Sequence, residues 1–227
     1  MEPLRYELIR SARKTLAISV DRDGQLLVRA PMWASQNQID SFLSDKRRWI
    51  DQARVHMAEL PACETLSASH GATFPYLGRP ITLQYVNTSR ATLRGDILFL
   101  PITSSQQGTV PIVRWLETQA RKELPARVTL LAQQYGFPLP HFRLTRAKGR
   151  WGSMSGRGNI SLNRALILCP PEMIDYVILH ELCHIPQPNH SPAFWAQVQR
   201  CLPDYKARRA WLKAHNSLIV YLPDGKA

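Results

Sequence analysis

Negative charge is what this 227-residue chain has least of. Its 17 Asp and Glu stand against 29 Lys and Arg, a formal net charge of +12. No acidic residue occurs between Glu123 and Glu172, and residues 141–227 carry 12 basic and 5 acidic side chains. A positive field of this kind attracts nucleic acid, nucleotides or acidic peptides, and a plain solvated basic surface has the same composition. Long apolar runs are absent. None approaches eighteen uncharged residues, so no transmembrane helix and no membrane partner are expected. The start, Met1-Glu2-Pro3-Leu4-Arg5, has no apolar segment of the kind a secretory signal carries. Only four cysteines occur (Cys63, Cys169, Cys183, Cys201), none in a C-x-x-C pair. That pattern excludes a disulfide scaffold and fits reduced thiols in the cytoplasm. Internal repeats, low-complexity segments and a glycine-rich phosphate loop are also missing.

An apolar fraction of 44% and a charged fraction of 20% are globular values. The length allows one large domain or two small ones. Tyr6-Glu7-Leu8-Ile9 and Leu16-Ala17-Ile18-Ser19-Val20 read as strands, followed by the turn Asp21-Arg22-Asp23-Gly24 and a returning strand Leu26–Ala30 that Pro31 ends. A helix over 35–58 follows, with Ser35 as its cap. Two more strands are expected at Ile81–Val86 and Ile97–Leu100. The reading for residues 1–105 is therefore a β-rich module crossed by one helix. Residues 106–227 begin with a helical stretch, Val110 to Tyr135, which Pro125 is expected to divide and Gly136 to cap. Strands at Phe142–Thr145 and Asn159–Asn163 come next. Helices then follow from Glu172, from Ser191 and over Tyr205–His215. The fold class is α+β.

One pentapeptide decides the chemistry: His180-Glu181-Leu182-Cys183-His184, with His190 six residues on. Histidines at i and i+4 share a helix face about 6 Å apart, so both imidazoles can reach one Zn²⁺. Pro170-Pro171-Glu172 makes a good helix start, and Met173, Ile174, Val177, Ile178 and Leu182 recur at helical spacing. Pro186 and Pro188 stop the helix, and the enforced turn brings His190 back toward the metal. Three protein ligands leave the fourth position open, as in catalytic rather than structural zinc sites. Glu181 faces the same position and can act as general base. Cys183 reads as a small buried residue, and Trp151 and Trp195 as packing residues.

The run Arg150-Trp151-Gly152-Ser153, Asn159–Asn163, Pro170–Val177, the H-E-x-x-H and Asn189-His190-Ser191-Pro192-Ala193-Phe194-Trp195 resembles the YgjP-like metallopeptidase family, related to WLM and SprT peptidases. The resemblance is specific over about residues 143–200 and looser toward the N-terminus. It implies a zincin-like, single-zinc cytoplasmic hydrolase with His180, His184 and His190 as ligands and Glu181 as base. Met154 stands where that family usually has cysteine. The ligand spacing also equals that of metzincins, but Gln187 replaces their turn glycine and no methionine follows Met173, which argues against membership there.

The expected activity is a zinc-dependent metallopeptidase acting on a peptide or protein. Asn159 and Ser161 are candidate substrate contacts, because their strand could pair with an extended peptide. Arg143 and Arg146 are candidate anion contacts. Two alternatives stay open: a nucleotide pyrophosphatase or phosphohydrolase using these arginines, and a SprT-like protease docked on DNA through the basic C-terminal third.

Overall fold

In the computed structural model, which describes residues 4–20, 24–59 and 65–223, the chain divides into two compact units, Met1–Cys63 and Glu64–Ala227. In the first unit, strand β3 (Leu26–Pro31) is the centre of a three-stranded sheet. It pairs antiparallel with β2 (Ala17–Val20) and parallel with β1 (Tyr6–Ser11). Residues 21–23 of the expected turn lie outside the described residues. The helix expected over 35–58 is two helices, α1 (Gln36–Asp45) and α2 (Arg47–Glu59). A capping box between Ser35 and Gln38 starts α1. At Lys46 the N–H reaches both Phe42 O and Ser44 O, tightening the last turn and interrupting the helix. Ile39, Leu43 and Ile50 still share one core with Val20, Leu26, Val28 and Ala30.

The second unit is a mixed α and β structure with two sheets. One has the order β4-β5-β7-β6, from β4 (Thr73–Tyr76), β5 (Arg79–Val86), β6 (Thr92–Arg94) and β7 (Ile97–Pro101). Phe74, Ile81, Leu83, Leu98 and Leu100 from these strands lie in the same hydrophobic cluster as the H-E-x-x-H helix. The expected boundary at 105/106 therefore falls inside this unit. The β4–β5 turn is built on two positive-φ residues, Leu77 (φ 49°) and Gly78 (φ 76°). Their N–H groups donate to Ile167 O (2.8 Å) and Leu168 O (3.2 Å), on the segment that enters that helix. A Cβ at Gly78 would lie 2.8 Å from the Pro170 Cα. Gly78→Ala should accordingly destabilise the protein by about 1–3 kcal/mol, through strain at positive φ and a backbone clash that no rotamer relieves. Denaturant unfolding checks this; an unchanged midpoint would mean the turn yields freely.

Helix α3 (Val110–Tyr135) runs unbroken through Pro125, contrary to the expected division. A proline inside a helix costs one backbone hydrogen bond. Here Leu116, Ala120, Leu124, Val128 and Leu131 are buried on both sides of it, and that packing holds a single helix. Gly136, in the left-handed region (φ 71°), caps it as expected. The second sheet has the order β8-β10-β9, from β8 (His141–Thr145), β9 (Gly152–Met154) and β10 (Asn159–Asn163). Strand β8 is parallel to β10 and β9 antiparallel. Helix α4 (Pro171–Cys183) follows, buried along nearly its whole length, then α5 (Pro192–Cys201), α6 (Tyr205–Ala214) and the short α7 (Leu218–Tyr221).

A buried ion-pair network ties the unit together. Arg164, only 3% exposed, donates to Glu117 and to the carbonyls of Leu222 and Pro223 (2.8 Å each), while Arg146 reaches the same Glu117 at 2.9 Å. Burial alone would raise the Glu117 pKa, but the hydrogen bonds from both arginines outweigh it and hold the carboxyl below its usual range. Among the described residues no helix is long and apolar enough to cross a membrane.

Candidate metal centre

Helix α4 presents His180 and Glu181 from its last turn and ends at His184, whose N–H closes on Glu181 O and Leu182 O. The chain turns through Pro186 and Pro188, and His190 immediately precedes Ser191. That serine caps α5 by accepting from the Phe194 N–H at 3.4 Å. The cap fixes where α5 starts and so where His190 sits. One ring nitrogen from each of the three histidines lies within 4.8 Å of the other two, and the Nε2 atoms of His180 and His190 are 3.1 Å apart. Zinc–nitrogen bonds of about 2.0–2.1 Å in tetrahedral geometry imply a nitrogen–nitrogen spacing near ~3.3 Å. The His180–His190 pair stands close to that spacing, and the three histidines together form a group able to hold one ion.

Each ring is oriented by its own surroundings. His184 Nδ1 lies 3.1 Å from the Gln187 carbonyl. A carbonyl can only accept, so Nδ1 carries the proton and Nε2 keeps its lone pair for a ligand. Phe194 stacks on His184 (4.5 Å, 25°) and stands edge-on to His180 (5.0 Å, 78°), while Trp195 sits 5.7 Å from His180. His180 Nδ1 is buried with no hydrogen-bond partner among the described residues, so its ring is held by packing. Burial, followed by the charges of His184, His190 and Arg209, pushes His180 down to about 3; burial, followed by the charges of His184 and Arg209, also lowers His190. Both shifts favour the neutral ring, which is the form that ligates.

Glu181 is only 6% exposed. Burial pushes its carboxyl up to about 7, against the opposing pull of the Met154 backbone N–H and the Arg150 charge. Strand β9 lies directly against it: a Cβ at Gly152 would meet both Glu181 Cγ and Oε1 at 2.9 Å. Among the described residues this strand pairs with no strand but β10, and its Met154 N–H bonds the Glu181 carboxylate. A cleft of about 540 Å³ runs past it, lined by Ser153, Met154 and Ser155 on one wall and by His180, His184 and His190 on the other. A smaller pocket of about 260 Å³ meets this cleft at Gly152, His180 and Glu181.

The candidate substrate residues are placed differently. Asn159 and Ser161 sit on β10, the middle strand, which is paired with β8 on one edge and β9 on the other. Asn159–Asn163 is thus paired on both edges among the described residues, while β9 lies at the outside of the sheet. Arg143 is exposed on β8, Arg146 is engaged with Glu117, and neither lines the two cavities beside the histidines. Sequence reasoning missed Gly152 as a point of close approach, although Trp151-Gly152-Ser153 was part of the resemblance. It also missed Arg209 and Lys213, whose helix brings them to the smaller pocket.

Two expected outcomes follow from the burial of Glu181. In Gly152→Ala the new methyl must displace the carboxylate, and a shift near 1 Å costs on the order of 10²-fold in rate. Steady-state kinetics with unchanged metal content checks this, and normal turnover would refute the tight contact. In the metal-free protein, burial pushes the Glu181 carboxyl from its ordinary 4.5 up to about 7. The stability difference is absent below 4.5 and grows as pH rises through 7, because the unfolded chain ionises first. The parent should lose about 2–3 kcal/mol across that window relative to Glu181→Gln. Unfolding of both metal-free proteins from pH 4.5 to 8 measures it; a constant difference would contradict it.

Three imidazole nitrogens converge beside a buried carboxylate, a donor set able to hold a metal ion. The chain belongs to the YgjP-like metallopeptidase family: the family model described as "YgjP-like, metallopeptidase domain" matches residues 14–215. It is a metallopeptidase by family, with a histidine triad able to hold a metal. Among solved structures it is similar to the metallopeptidase zymogen abylysin of Pyrococcus abyssi, at 22% identity over 40% of this chain and 93% of that one (TM-score 0.38). It is likewise similar to the zymogen jannalysin of Methanocaldococcus jannaschii, at 21% identity over 42% and 97% (TM-score 0.37). No curated protein matches it.

Proposed function

We propose that this chain is a zincin-like, zinc-dependent peptidase in which His180, His184 and His190 hold the ion and Glu181 is the general base. One observation carries the reading: three histidine ring nitrogens within 4.8 Å of one another, next to a carboxyl that is 6% exposed. An all-nitrogen, three-histidine set of this size suits zinc, with one position left for substrate. A zinc ion held there supplies Lewis acidity, lowering the pKa of a water toward ~7 and stabilising negative charge on a carbonyl oxygen.

The chain's own residues do the remaining work. Glu181 takes the proton of the attacking water on a carboxylate oxygen and returns it to the leaving amine. Its burial keeps bulk water from competing for that proton. The Met154 N–H holds the carboxylate in place. The outer edge of β9 accepts an extended peptide backbone as an added strand, which sets the scissile carbonyl opposite Glu181. Reduced thiols, free at Cys169, Cys183 and Cys201, support a cytoplasmic setting. Incubating the zinc-loaded protein with a peptide library and a nucleotide panel in parallel tests the proposal. Cleavage of peptides is expected; nucleotide hydrolysis with no peptide cleaved would overturn it.

A further inference from the structure

The smaller pocket beside the metal centre has a composition of its own. Its walls are apolar, formed by Trp151, Val177 and Leu212, and its rim carries Arg209, Lys213 and Asn216. Arg209 and Lys213 are one turn apart on α6, so they face the same way. The Arg209 guanidinium rests 4.9 Å above the Trp195 ring, which is itself stacked on Tyr205 (5.4 Å, 20°). That stacking holds its direction before any ligand arrives. Neither Arg209 nor Lys213 forms an ion pair with a described residue. The charge of Arg209 is felt at Tyr176, His180 and His190, so its field covers the mouth of the pocket. The only carboxyl on the lining is Glu181, at the border with the main cleft.

We propose that this pocket is a specificity subsite for an acidic residue adjacent to the scissile bond, with Arg209 and Lys213 receiving the carboxylate. The proposal rests on the peptidase reading above and names the substrate class that reading leaves open. The methylenes of a glutamate lie against Trp151, Val177 and Leu212, and its carboxylate meets two unpaired cations at the rim. A lysine or arginine entering the same pocket brings a third positive charge against those two. An apolar side chain fills the walls and leaves the cations merely solvated. The order of preference is therefore acidic, then apolar, then basic. The cations are exposed, so salt and solvent limit the discrimination to about tenfold.

The test is calorimetric titration of catalytically silenced Glu181→Gln protein with capped pentapeptides. Glutamate is exchanged for glutamine at each of the two positions flanking the central bond. The glutamate peptide is expected to bind about tenfold more tightly at one of these positions. Arg209→Gln and Lys213→Gln should each shrink that ratio, and the double variant should bring it near one, with zinc content and circular dichroism unchanged. Equal binding of glutamate and glutamine peptides at both positions overturns the proposal. So does a ratio that survives in the double variant. Displacement of the peptide by a nucleoside triphosphate at equal concentration assigns the rim to phosphate and overturns it as well. Cleavage by the parent protein separates the two readings. Acid preference in binding with no peptide cleaved sinks the peptidase and keeps the pocket. Cleavage indifferent to charge keeps the peptidase and sinks the pocket.

Discussion

Glu181→Gln is expected to lower peptide hydrolysis by on the order of 10²–10⁴-fold with zinc content unchanged. Glutamine keeps the shape that fits beneath Gly152, where Glu181 Oε1 lies 2.9 Å from the ideal Cβ position, so β9 need not move. What the substitution removes is the oxygen that, in the proposed mechanism, takes the proton. It also exchanges an acceptor for an amide whose nitrogen cannot accept from the Met154 N–H. The effect should fall on kcat more than on KM, because in the proposed mechanism Glu181 acts on the attacking water and not on the peptide backbone. Full activity in the variant would show that another group moves the proton, and no other carboxyl lines either cavity.

His184→Ala and His190→Ala should each abolish hydrolysis and reduce zinc from one equivalent toward zero at micromolar concentration. Each removes one of three nitrogens, and two imidazoles do not hold the ion tightly. The variants should differ in their effect on the fold. His184 caps α4 and stacks on Phe194, which is fully buried, so its loss opens a gap at the α4–α5 junction. His190 is exposed and its Nε2 merely faces that of His180, so His190→Ala should stay close to the parent's stability in the metal-free state. Elemental analysis with thermal unfolding of the metal-free proteins separates the two effects. A full equivalent of zinc in both variants would refute the triad.

The motif was legible because its spacing is a property of one helix. His180, Glu181 and His184 need only the 3.6-residue repeat to share a face, and Pro186 and Pro188 announce the turn that returns His190. The buried face of α4 and the cap at Gly136 are local signals in the same sense. Strand order is not local. Nothing in Asn159–Asn163 says that both its edges are taken, since that depends on β8 and β9 arriving from other parts of the chain. Strand β9 spans three residues, too few for an alternation to show. Its role hangs on Gly152, whose missing side chain matters only once Glu181 is seen against it. Pro125 carries a true helix-breaking signal that packing around Leu124 and Val128 overrides. Arg209 and Lys213 read as solvated charges on a basic helix until α6 is placed beside α4.

X-ray absorption at the zinc edge of the purified protein tests the central claim most directly. Three histidines and one oxygen predict nitrogen and oxygen scatterers at about 2.0–2.1 Å, with imidazole outer-shell features and no sulfur. A sulfur shell at about 2.3 Å would bring Cys183 or another thiol into the coordination sphere, and absence of zinc would remove it altogether; either result would contradict the account.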